Sequence, residues 1–209
     1  GDNDGALAEF RRALELIPGT PSPERAGVLA AIAQVRMLEG TFSEAGRYAR
    51  EAIDVATAAG PAATAAATHA TTTLGVSLGW GQDPEAGVRL LRDARRMAEE
   101  IGDLDELFRV FANLTTVLDL VGRRSEAVAV AEEGIAIARR HGQEAAYGNF
   151  LRGNAAEHDV LRVDDVPRAI DVLRRRLESA HSSYLRSFLW GRRPSGEASG
   201  CGTSLPWRA

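Results

Sequence analysis

Few residues of this chain have the types and spacing that chemistry requires. The four histidines, His69, His141, His158 and His181, include no pair one helical turn apart and no H-E-x-x-H. A helix-borne metal site is therefore not expected. His141 precedes Gly142 at a predicted helix end, where a cation meets the negative end of the dipole and capping is the better reading. Glu157-His158-Asp159 resembles an acid–base cluster, but consecutive helical side chains point in different directions and cannot converge. Cys201 is the single cysteine, so neither an intrachain disulfide nor a thiolate zinc site can be built. Gly75, Gly79 and Gly81 surround Trp80, yet a phosphate loop follows a strand, and here a helix runs in. A helix terminus and turn, with Trp80 packing between units, is the expected role. The chain contains no lysine, which excludes G-x-x-x-x-G-K-[ST]. No catalytic residue, metal or cofactor is predicted.

What remains is polar recognition. Asn113 and Asn154 lie about one repeat period apart, at equivalent helix positions. Thr116 shares a face with Asn113, Asp119 continues it, and Arg109 lies one turn before. Arg109, Asn113, Thr116, Asn154 and Glu157 could together line a polar groove for an extended peptide. A helical asparagine more often bonds a neighbouring loop or helix, and that is the favoured reading for Asn113 and Asn154. Arg174-Arg175-Arg176 reads as a solvated charge run. The sequon Asn113-Leu114-Thr115 falls inside a predicted helix and is set aside.

The elements that would position these groups come from a repeat. Ala6, Ala45, Ala86, Ala127 and Ala169 recur in the same local setting about 41 residues apart, each following a turn and opening an amphipathic stretch. Helix punctuation agrees. Ser22-Pro23-Glu24 and Asp83-Pro84-Glu85 each give a capping side chain, then proline at the first helical position, then an acid near the positive dipole end. Ser43 and Ser125 are expected to cap two further starts. Gly60, Gly102 and Gly142 fall where helices should stop, and Gly40 and Gly122 end the preceding ones. The predicted helices lie near 22–39, 43–59, 62–79, 84–101, 104–121, 125–141, 144–161 and 166–181, with a partial unit at 2–17.

Periodicity supports them. Leu107, Phe111, Leu114, Leu118 and Val121 share one helical face, and Val28, Ile32, Val35 and Leu38 trace a similar stripe. No stretch shows sustained strand alternation with hairpin turns. Short connections make successive helices antiparallel, and stacking lets each pair bury a face it could not bury alone.

Gly1-Asp2-Asn3-Asp4-Gly5-Ala6 with Phe10, Ala13 and Pro18 resembles the second helix of a tetratricopeptide repeat. Gly40, Phe42, Ala45 and Ala52 continue the pattern, as do Phe111, Leu114, Gly122, Ala127 and Gly134. The consensus period of 34 residues is exceeded here by about two helical turns. Lengthened repeats of this kind are similar to the C-terminal sensor regions of large ATP-binding LuxR-type transcriptional regulators, in the passages Arg25–Gly60 and Leu107–Gly142 above all. The resemblance implies a right-handed all-α solenoid of helix pairs whose first helices line a concave surface. It also implies a sensor or scaffold role, with ATP hydrolysis and DNA binding carried by other modules. No basic helix-turn-helix follows residue 181, and the chain opens inside a repeat, so it reads as a fragment of a longer protein. A free-standing adaptor is the alternative. The expected partner is a protein or peptide, or a small effector.

Composition fits this picture. With 44% apolar but only 6% aromatic residues, the core must be built from Ala, Leu, Val and Ile, which favours close helix pairs. A net charge of −4 argues against nucleic-acid binding by this segment. No apolar run approaches a bilayer span, and the N-terminus lacks signal-peptide character. The expectation is a cytoplasmic protein with a repeat domain at 1–185. The glycine- and proline-rich segment 186–209 reads as a disordered tail, with a lost repeat frame or a tryptophan-bearing docking peptide as alternatives.

Overall fold

The computed structural model describes residues 3–81, 83–148 and 150–154. Seven α-helices follow one another among them: α1 (Asn3–Leu16), α2 (Pro23–Leu38), α3 (Phe42–Ala59), α4 (Thr64–Gly79), α5 (Pro84–Ile101), α6 (Leu104–Leu120) and α7 (Arg124–Arg140). A 3-10 turn at Pro61–Ala63 precedes α4, and a π-turn at Glu144–Gly148 follows α7. Residues 150–154 are again helical. No described residue is in a strand.

Local signals set most boundaries. The Ser22 side chain accepts from the Arg25 N–H at 3.2 Å, and Asp83 accepts from Ala86 at 2.9 Å, each before a proline. Asp103 caps α6 in the same way, accepting from Glu106 N–H at 3.0 Å. The expectation for Ser43 and Ser125 fails, because α3 and α7 start from Thr41 and Arg123 without a side-chain cap. The hydroxyl of Thr41 instead donates to the Arg36 carbonyl at 2.8 Å, closing the end of α2.

Gly40, Gly102, Gly122 and Gly142 adopt positive φ. In each case the N–H of the following residue returns to a carbonyl five residues back, as Thr41 does to Arg36. That backward bond relieves an otherwise unpaired helix-end carbonyl. Gly60 also has positive φ. The next residue there is Pro61, which has no N–H to donate, and a 3-10 turn takes over.

The pairs α2/α3, α4/α5 and α6/α7 stack in chain order, each helix packing on the next. Helix α4 also packs on both α2 and α6, whereas the second helices α3, α5 and α7 scarcely touch each other. A stack whose first-helix layer is the tighter one curves toward that layer, so the first helices form its inner face. Long side chains span the wider outer spacing. Arg95 binds Glu133 through two bonds of 2.8 and 2.5 Å, and Arg92 pairs with Glu126.

The repeat is written in buried, mostly small residues of the second helices. Ala45, Ala49, Ala52 and Ala56 of α3 correspond to Gly87, Leu91, Ala94 and Ala98 of α5 and to Ala127, Ala131, Gly134 and Ala138 of α7, and all are buried. Ala45 and Ala127 take the expected packing point, but Ala6 and Ala86 are only half-buried, and their neighbours Leu7 and Gly87 are buried instead. A Cβ at position 87 would lie 2.6 Å from the Gly75 carbonyl oxygen and 2.6 Å from the Gly79 nitrogen. Backbone meets backbone there. The glycines around Trp80 therefore let α4 and α5 cross closely, and Trp80 stacks on Phe42 at 6.1 Å. Each buried methyl contributes less than about 1 kcal/mol, so these contacts act by number and proximity.

The stripe predicted for α6 holds, with Leu107, Phe111, Leu114 and Leu118 buried. In α2 the buried face is Ala26, Leu29, Ala30, Ile32 and Ala33, while Leu38 is 57% exposed. Helix α4, enclosed by α2, α3, α5 and α6, buries Thr68, Thr71, Thr72, Thr73 and Ser77. The hydroxyls of Thr68, Thr71, Thr73 and Ser77 each donate to the carbonyl one turn back, which satisfies a buried polar group without leaving the helix, while the single proton of Thr72 goes to the Glu106 carboxylate of α6. The unit predicted near 166–181, Ala169, and the tail 186–209 lie outside the described residues.

Candidate binding groove

The inner face carries a groove of about 510 Å³ between α2, the start of α4 and the start of α6. Its walls are Gly27, Ala30 and Ala31 on one side and Ala62, Ala65 and Ala66 on the other. Side chains this short leave the space between the two helices unfilled. The polar lining gathers at one end, where Gln34, His69, Asp103 and Glu106 meet.

Glu106 organises that end. It is 6% exposed, and a carboxylate this deep must be paired. Its Oε1 accepts from Thr72 Oγ1 at 2.5 Å and from Arg109 Nη1 at 2.7 Å, and its Oε2 lies 2.9 Å from His69 Nδ1. An ionised carboxylate can only accept, so Nδ1 carries the proton of that bond. His69 Nε2 lies 3.0 Å from the Gln34 side-chain amide. One imidazole thus joins α2, α4 and α6. Arg109 also donates to Thr73 Oγ1 at 2.6 Å and to the His69 carbonyl at 3.2 Å. Burial works to raise the Glu106 pKa, but the His69 hydrogen bond, the Arg109 charge and the Thr72 hydroxyl outweigh it and hold it at about 2, below the ordinary 4.5.

Among the residues predicted for a polar groove, Arg109 belongs to this cluster. Asn113 turns away from it and donates to the Arg109 carbonyl at 2.8 Å, and Thr116 donates to Ala112 O at 3.0 Å. Asn154 is buried and its Nδ2 reaches across to Ala112 O at 3.4 Å. These three side chains engage backbone, Asn113 and Thr116 that of their own helix and Asn154 that of α6. Glu157 lies outside the described residues. Asp119 pairs with Arg124 at 3.3 Å. Glu106, Thr72 and Gln34 were missed in the sequence, and His69 was weighed only as a metal ligand. One signal was available: His69 and Arg109 stand 40 residues apart, close to one repeat, on successive first helices.

No group of three or more potential metal ligands occurs among the described residues. None of their helices is long and apolar enough to cross a membrane.

The helices, their stacking and the groove define an all-α helical-repeat protein. No family model matches the sequence, and no curated protein matches it. In fold the chain is similar to BtubC (BKLC) from P. vanneervenii, known from a crystal structure. The TM-score is 0.60 at 16% identity, over 98% of this chain and 96% of that one. At such identity the likeness speaks for the fold alone.

Proposed function

We propose that this chain is a recognition module whose inner-face groove receives an extended segment of a partner protein. The supporting observation is the groove itself, about 510 Å³ in volume, within the range of ligand sites. It is walled by alanine and glycine and anchored by a buried charged cluster. Small walls let a peptide backbone approach closely, and a fixed polar end gives it a register.

The residues Arg25–Gly60 and Leu107–Gly142, which resemble LuxR-type sensor regions, support assigning the module to an ATP-dependent transcriptional regulator as its signal-receiving part. The alternative is a free-standing adaptor. Coding sequence on both sides separates the two, since a P-loop upstream and a helix-turn-helix downstream belong only to the regulator.

The groove reading is tested with a displayed library of extended peptides panned against the purified chain. Ala65 is exposed, so Ala65→Trp should block the groove and leave the fold intact by circular dichroism. Selected peptides should lose binding to this variant. Peptides that bind it undiminished would place recognition elsewhere.

A further inference from the structure

We infer that the groove selects peptides carrying a basic side chain, which docks at the end formed by Asp103, Glu106 and His69. This specificity rests on the groove reading above and adds a charge rule to it.

Apart from the His69 imidazole, the charged lining is acidic. Asp103 and Glu106 are its carboxylates, Gln34 and His69 its other polar groups, and no arginine lines it, although every basic residue of the chain other than histidine is an arginine. The nearest cation, Arg109, is committed to Glu106, Thr73 and the His69 carbonyl. It offsets one carboxylate and leaves the other. Asp103 spends one oxygen, Oδ1, on the Glu106 N–H and is half-exposed, so its second oxygen can accept from a ligand.

Fixed geometry strengthens the preference. Asp103 and Glu106 share the first turn of α6, tied together by the cap, and Glu106 is locked to α4 through both His69 and Thr72. A cationic group arriving here meets acceptors that need no reorganisation. An acidic peptide would bring a like charge to a half-buried carboxylate and be rejected. The alanine walls add no sequence preference, so discrimination falls on the polar end.

Isothermal titration of the purified chain tests this with acetylated, amidated nonapeptides of alanine and serine that differ only in the central residue. Arginine at the centre should bind about ten-fold more tightly than citrulline, the worth of one favourable charge pair, and glutamate should bind weakest. Asp103→Asn keeps a competent cap and should bring the arginine peptide down to the citrulline level. Equal affinity for arginine and citrulline peptides, both abolished by Ala65→Trp, would overturn the charge rule and leave the groove reading standing. Arginine-peptide binding that survives Ala65→Trp, or no binding by any of the peptides, would sink both.

Discussion

The carboxylate of Glu106 lies 2.9 Å from Nδ1 of His69, and this contact fastens the first turn of α6 to the middle of α4. Through the far side of the same ring the tie extends to Gln34 on α2. Three successive repeats are pinned at one end of the groove, so their relative tilt depends on a charged cluster as well as on alanine contacts.

Removing the charge from Glu106 should therefore be costly. Glu106→Gln leaves Arg109 half-buried without its counter-charge, and breaking such a pair costs about 3 kcal/mol. Thermal melts followed by circular dichroism should show a fall of roughly 10 °C in Tm. Combining it with Arg109→Met should recover part of the loss, since removing both charges is far cheaper than removing one. A double variant as unstable as the sum of the singles would show that the two residues do not act together.

The pH response has a definite sign. The Glu106 pKa is depressed in the folded state, to about 2 from 4.5. Its contribution is therefore fully present above 4.5 and disappears as pH falls through about 2. The shift is worth about 3 kcal/mol at neutral pH. Urea denaturation of the wild type and Glu106→Gln at pH 7, 4 and 2 should show a stability gap that narrows toward the lowest value. A gap that stayed constant over this window would contradict the depressed pKa.

Gly87→Ala should be among the most damaging single-methyl changes in the chain. The new Cβ would meet the backbone of Gly75 and Gly79 at 2.6 Å, and forcing α4 from α5 costs about 3 kcal/mol. Gly27→Ala is the control: it meets nothing within 4 Å and gains up to about 1 kcal/mol of helix propensity. Opposite shifts in urea midpoint are expected, and equal ones would show that the crossing is looser than described.

Asp103 separates capping from charge. Asp103→Ala loses the bond to the Glu106 N–H and should cost about 1 kcal/mol, whereas Asp103→Asn should cost only a few tenths. Hydrogen exchange at the Glu106 amide is the direct readout, fast in the alanine variant and slow in the asparagine one.

The chain of residues alone fixed what is decided within a turn or two. Ser22-Pro23 and Asp83-Pro84 start helices, and Gly40, Gly102, Gly122 and Gly142 stop them, because caps and left-handed glycines act on backbone groups a few residues away. The recurrence of small residues at about 41-residue steps then implied stacking. Tertiary structure decided the rest. Gly87 rather than Ala86 took the packing point because the Gly75 and Gly79 backbone leaves no room for a methyl, a fact invisible within α5. Leu38 came to the surface although its spacing matched a buried stripe, since neighbouring helices choose which face of α2 is covered. Gln34, His69 and Glu106 belong to three helices, and no local pattern signals that side chains so far apart in the chain will share a proton and a charge. Only when α2, α4 and α6 lie side by side does water leave Glu106, and its burial then makes the pairing with His69 and Arg109 obligatory.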